Sequence, residues 1–180
     1  MIRHVPNALT ILRLFAVPLT VWLMAHGIFG AAFWLFVAAG VTDAVDGAVA
    51  RLANARTRLG TWLDPLADKA LLVSVYIALA AQGHLPIWLV VLVTLRDVVI
   101  VLYAVVYVLA GTFRGTPLFI SKINTAAQLI LAALVLAHLG LGWGAPVLVD
   151  VFVLVVAATT TASAIAYLMV AAGKVPAKDP

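Results

Sequence analysis

The chain has 180 residues, of which 66% are hydrophobic and only 10% charged, with a formal net charge of +4 and no cysteine. Soluble domains carry roughly 25% charged residues, so this composition excludes a soluble globular domain, a disordered chain and a nucleic-acid module. It also excludes a disulfide framework, a thiolate metal site and a cysteine nucleophile. The length fits a single domain, residues 1–180.

A helix needs ~20 mostly apolar residues to cross the hydrocarbon core. Six such stretches follow one another, at about 8–26, 30–53, 60–82, 86–110, 121–139 and 146–172. The breaks between them carry Gly, Pro or polar residues, as connections do. No ten-residue segments alternate in hydrophobicity, so a closed β-barrel is excluded and helices remain. The expected fold class is therefore all-α, a polytopic membrane protein with six transmembrane helices. The first stretch is long for a signal-peptide core, Arg13 interrupts it, and no small-residue cleavage site follows. It reads as the first span, with no presequence ahead of it.

The basic residues set the orientation. Arg3 precedes the first stretch, and Arg51, Arg56 and Arg58 surround the second connection. Arg114 and Lys122 flank the fourth, and Lys174 and Lys178 follow the last stretch. The other three connections contain no Lys or Arg. All these charges fall on one side, which the positive-inside rule makes cytoplasmic, with both termini. A bacterial inner membrane fits best, and an organellar (mitochondrial) membrane is the alternative.

Every acidic residue is an aspartate, and four of the seven lie between positions 43 and 68. Ionisable groups at bilayer depth cost a few kcal/mol on insertion scales, so the cluster needs an explanation. Asp43 and Asp46 are three residues apart at the end of the second stretch, and Gly47 and Ala50 continue their stripe. Gly60, Asp64 and Asp68 form a four-residue stripe at the start of the third. A short connection lets the four carboxylates meet at the cytoplasmic ends of neighbouring helices. There they repel unless protonated or neutralised by cations. An all-oxygen donor set suits Mg²⁺ or Mn²⁺, and an aspartate-bridged pair of ions suits phosphoryl-type transfer. Two other readings stand beside this one. The acids can pair with Arg51, Arg56, Arg58 and Lys69 while the small residues serve helix packing. Alternatively the aspartates line the path of a divalent-cation transporter, although they sit at one face and no inverted repeat is visible.

The segment Val41–Leu72 resembles the signature of the CDP-alcohol phosphotransferase family, D-x2-D-G-x2-A-R-x8-G-x3-D-x3-D. Every fixed position is filled, by Asp43, Asp46, Gly47, Ala50, Arg51, Gly60, Asp64 and Asp68. The resemblance implies six transmembrane helices, a homodimer, and a phosphatidyl transfer from CDP-diacylglycerol to an alcohol. It implies that Asp43, Asp46 and Asp64 hold the metal ions, with Asp68 touching the second and acting as general base. It implies that Gly47, Ala50, Arg51, Thr57 and Gly60 bind the CDP moiety, although Thr57 also reads as a helix N-cap. Pro6-Asn7-Ala8-Leu9-Thr10 with Arg13 resembles the start of the phospholipid-synthesising members, where Asn7, Thr10 and Arg13 close over the nucleotide. Ordinary capping by Asn7 or Thr10 and snorkelling of Arg13 is the alternative there.

Arg96-Asp97 and the run Ser121-Lys122-Ile123-Asn124-Thr125 with Gln128 resemble the CMP-forming cardiolipin synthase branch. Arg96 and Lys122 would hold a phosphate on the acceptor. Their plainer readings are pairing of Arg96 with Asp97 and anchoring of Lys122 at the interface. Asn124 stands where phosphatidylglycerophosphate synthases carry a second lysine. One cation fewer suits the monoanionic diester of phosphatidylglycerol better than the near-dianionic glycerol 3-phosphate. Phosphatidylglycerol is the acceptor expected, with glycerol 3-phosphate as the alternative. The run Ala158 to Ala164 also resembles the sixth helix of the cardiolipin branch, and small-residue helix packing is the plainer reading, preferred here. His26, His84 and His138 read as interface residues at the outer helix ends.

Overall fold

In a computed structural model of the chain, the backbone is described for residues 5–52, 58–109 and 119–172, and the side chains for residues 15–42, 69–102 and 119–172. Six α-helices follow in order: α1 (Val5–Ala25), α2 (Phe29–Leu52), α3 (Arg58–Ala81), α4 (Ile87–Leu109), α5 (Phe119–Leu141) and α6 (Pro146–Ala171). No strand occurs among the described residues. The helices match the six apolar stretches. The largest difference is that α1 begins at Val5; α3 begins at Arg58 and α5 at Phe119, each slightly early, and α5 also runs on through Gly140 and Leu141.

Glycines end two of the helices. Gly27 and Gly83 have φ of +72° and +77°, a region that residues with a Cβ rarely occupy. After α1, Gly27 N–H donates to Met24 O (3.0 Å) and Ile28 N–H to Leu23 O (2.9 Å). After α3, Gly83 N–H donates to Ala80 O (3.0 Å) and His84 N–H to Leu79 O (2.8 Å). This paired pattern is the Schellman cap, which satisfies carbonyls that a helix end leaves open.

The chain divides into two compact units, Met1–His84 with Ala132–Ala145, and Leu85–Leu131 with Pro146–Pro180. In the first unit α1 packs against both α2 and α3. Its core is built from helical stripes: Ala16, Thr20 and Met24 on α1, Ala32, Phe36 and Ala39 on α2, and Leu72, Val75, Tyr76 and Leu79 on α3. The end of α5 closes on the start of α2 through two glycines. A Cβ added to Gly140 would stand 2.5 Å from the Cα of Gly30 and the carbonyl carbon of Phe29. In the second unit α4 packs against α6, with Leu89, Val93 and Arg96 of α4 and Val156, Thr160, Ser163 and Tyr167 of α6 buried.

Both α5 and α6 are long and apolar enough to cross a membrane. Only 22% of the most apolar window of α6 is buried, so its apolar surface faces outward and not into a core. Large apolar side chains such as Phe15, Ile87 and Leu154 are likewise exposed. Hydroxyls are met within their own helices: Thr20, Thr42, Thr94, Thr125 and Thr161 each donate to the carbonyl four residues earlier. Back-bonding of this kind satisfies a polar group where water is scarce.

Candidate functional site

The aspartates are placed by the helices that carry them. Asp43 and Asp46, with Gly47, Ala50 and Arg51, lie in the last turns of α2; Gly60, Asp64 and Asp68 lie in the first turns of α3. Five residues separate Leu52 from Arg58, so these two ends are at most ~22 Å apart at full extension. Both helices pack on α1, whose first turns carry Asn7, Thr10 and Arg13. The side chains of these residues, and Thr57 altogether, lie outside the described residues. Among the described residues no three His, Cys, Asp or Glu side chains gather as a metal-binding group.

A second constellation is described in full within the other unit. Arg96, in the middle of α4, is only 4% exposed. A buried guanidinium left unpaired would cost several kcal/mol, and the structure meets it from three helices. Arg96 Nη1 donates to Asp97 Oδ1 at 2.7 Å. Nη2 donates to Ser121 Oγ of α5 (2.6 Å) and to Ser163 Oγ of α6 (2.7 Å). Nε donates to the same Ser163 Oγ at 3.2 Å. Three of its four bonds thus end on two serine hydroxyls. A guanidinium has five hydrogens, so one Nη1 hydrogen is left with no partner among the described residues.

Asn124 lies one turn beyond Ser121 on α5 and is fully buried. Its Oδ1 accepts from Thr160 Oγ1 (2.8 Å) and lies 2.9 Å from Thr159 Oγ1. Thr159 has one hydroxyl hydrogen and shares it with Val155 O at 2.9 Å, so Thr160 is the firmer donor. Asn124 Nδ2 has no partner among the described residues. Gln128, one turn further on, is also buried.

Of the sequence-predicted acceptor residues, Arg96 and Asn124 therefore sit in one polar ladder, while Lys122 is exposed beside it. The pairing of Arg96 with Asp97 is present, but it occupies only one of the guanidinium's four bonds. Sequence reasoning read Ser163, Thr160 and Thr159 chiefly as packing residues and gave them no part in the polar network. The signal that could have done so is the three-residue spacing of Thr160 and Ser163 on α6, which matches Ser121 and Asn124 on α5. His26 Nδ1 bonds Trp22 O (2.8 Å) and His138 Nδ1 bonds Gly144 O (3.1 Å), while His84 lies edge-on to Phe29.

A family model described as CDP-alcohol phosphatidyltransferase matches residues 3–170. The chain belongs to the CDP-alcohol phosphatidyltransferase family. The match takes in all six helices except the last residue of α6. Among curated members, the chain is 37% identical to the human protein named "Cardiolipin synthase (CMP-forming)", over 91% of this chain and 60% of that one. It is 32% identical to a protein of the same name from Streptomyces coelicolor, over 77% of this chain and 67% of the other. It is 33% identical to the rice "CDP-diacylglycerol--glycerol-3-phosphate 3-phosphatidyltransferase 1, chloroplastic", over 91% of this chain and 56% of that one. The chain thus spans about three fifths of the length of its human relative. Members of this phosphatidyltransferase family generally use divalent metal ions, and four aspartates with no Cys or His between them form a donor set that fits a hard cation.

Proposed function

We propose that the chain transfers the phosphatidyl group of CDP-diacylglycerol to phosphatidylglycerol, giving cardiolipin and CMP. What supports this most is the complete aspartate signature in a chain whose relatives, over most of its length, are named CMP-forming cardiolipin synthases. Family membership supports the transfer reading over the cation-transport alternative.

In this reading all six helices span the membrane with both termini cytoplasmic, because the basic residues segregate to one side. The membrane is a bacterial inner membrane, and the chain works as a homodimer. Asp43, Asp46 and Asp64, with Asp68 at the second ion, hold two Mg²⁺ or Mn²⁺ ions. When bound, such ions offset negative charge on the donor's diphosphate. Asn7, Thr10, Arg13, Gly47, Ala50, Arg51, Thr57 and Gly60 bind the CDP moiety. Asp68 takes the proton from the acceptor hydroxyl. That oxygen forms a bond to the phosphorus carrying diacylglycerol, the bond from this phosphorus to the CMP oxygen breaks, and CMP leaves. Arg96 and Lys122 hold the phosphate of the acceptor.

Glycerol 3-phosphate is the second reading, favoured by the name of the rice relative. Reconstitution of the protein in vesicles containing CDP-diacylglycerol and phosphatidylglycerol, with mass-spectrometric identification of the product lipid, separates the two. Cardiolipin appears if phosphatidylglycerol is the acceptor. Phosphatidylglycerophosphate formed only on addition of glycerol 3-phosphate would replace this reading with the second.

A further inference from the structure

The polar ladder is built in rungs. Ser121 and Asn124 are three residues apart on α5, and Thr160 and Ser163 are three apart on α6. Ser121 meets Ser163 through Arg96, and Asn124 meets Thr160 directly. The two helices therefore run antiparallel here, one rung per turn. The ladder starts at the first turn of α5, where Lys122 is exposed, and leads inward to Asn124 with no exposed surface.

Two hydrogen-bond donors in the ladder are unmet among the described residues: Asn124 Nδ2 and one hydrogen of Arg96 Nη1. Leaving a buried donor unmet costs about 1–3 kcal/mol, so both atoms suit a ligand that accepts hydrogen bonds. Turning the amide over does not pair every polar atom. It would move the unmet atom to Oδ1 and strand the Thr160 hydroxyl hydrogen, whose bond to Asn124 is its only one among the described residues.

Charge narrows which ligand suits these donors. Among the described residues of the ladder, Arg96 and Asp97 pair, the serine, threonine and amide groups are neutral, and Lys122, exposed on the first turn of α5, contributes one positive charge. Those residues together balance one negative charge. A phosphodiester carries one, whereas a phosphomonoester carries about −1.5 to −2 near pH 7. We infer that Thr160 and Ser163 of α6 are positioning residues for the acceptor. They aim the Asn124 amide and the Arg96 guanidinium at a singly charged phosphodiester, and so select it against a phosphomonoester. This inference rests on the cardiolipin-forming reading above.

The test measures steady-state kinetics of the purified full chain in detergent micelles with CDP-diacylglycerol and phosphatidylglycerol. Thr160→Val keeps the shape and removes the hydroxyl; Thr160→Ser restores it. Thr160→Val is expected to raise KM for phosphatidylglycerol about tenfold, a loss near 1.4 kcal/mol, with KM for CDP-diacylglycerol within twofold of wild type. Thr160→Ser returns KM for phosphatidylglycerol to within threefold. Ser163→Ala is the second variant, with the same direction expected, so that poor folding of either one leaves the test standing. Asn124→Asp, which replaces the unmet N–H by an anionic oxygen, is expected to abolish use of phosphatidylglycerol while CDP-diacylglycerol still binds. If Thr160→Val and Ser163→Ala lower only thermal stability, or raise both KM values equally, the hydroxyls are structural and the inference fails. If the wild type makes no cardiolipin, the functional reading fails first and the inference with it.

Discussion

Gly140→Ala tests the packing of the first unit at its tightest point. A Cβ there would stand 2.5 Å from the Cα of Gly30 and from the carbonyl carbon of Phe29. Both atoms are backbone, so no side chain can swing aside and α2 and α5 must separate. Overpacking typically costs 1–3 kcal/mol, and a backbone clash belongs at the upper end. Alanine returns up to ~1 kcal/mol over glycine inside a helix, which leaves about 2 kcal/mol of net destabilisation. The reciprocal change is milder. A Cβ on Gly30 would meet Gly140 O at 3.2 Å, a contact relieved by a few tenths of an ångström. The same helix-propensity gain then nearly offsets it, for a cost between about 0 and 1 kcal/mol. Thermal unfolding of the purified protein in detergent reads the difference. For a chain of this size, Gly140→Ala should lower Tm by about 4–8 °C and Gly30→Ala by less than half of that. Equal stability of Gly140→Ala and wild type, or a larger loss in Gly30→Ala, would refute the packing argument.

Three further outcomes are expected. Asp68→Asn should reduce turnover by two orders of magnitude or more, as loss of a general base does, while CDP-diacylglycerol binding measured by calorimetry persists; near-wild-type turnover would remove Asp68 from that role. Chelation of divalent ions by EDTA should stop CMP release, and added Mg²⁺ or Mn²⁺ should restore it; turnover that continues in EDTA would contradict the proposed use of the aspartates. Gly83→Ala should destabilise by about 1–2 kcal/mol, because φ is +77° there and the new Cβ would otherwise stand in open space; unchanged Tm would show that the α3 cap is not under that constraint.

The helices were legible in the sequence because apolar runs interrupted by glycine and proline record where a chain can turn in a low-dielectric setting. Gly27 and Gly83 mark the α1 and α3 ends to within two residues. The extension of α5 through Gly140 was not legible. Glycine signals a break locally, and only the approach of α2 explains a helical glycine there. The aspartate signature was readable because its chemistry depends on spacing along two helices joined by a short connection. The acceptor-side ladder was only half readable. Arg96 and Asn124 stand out as polar residues in apolar helices, but Thr160 and Ser163 look like any small residues on a packed face. Their role follows from which residue stands opposite them, and that pairing is tertiary.

Metal-dependent CMP release by the purified protein tests the central claim most directly. CDP-diacylglycerol is supplied with Mg²⁺ or Mn²⁺, and phosphatidylglycerol and glycerol 3-phosphate are offered in parallel. The account predicts CMP release with phosphatidylglycerol, none in EDTA, and little with glycerol 3-phosphate. Failure to release CMP with either acceptor, by protein that binds CDP-diacylglycerol, would contradict it.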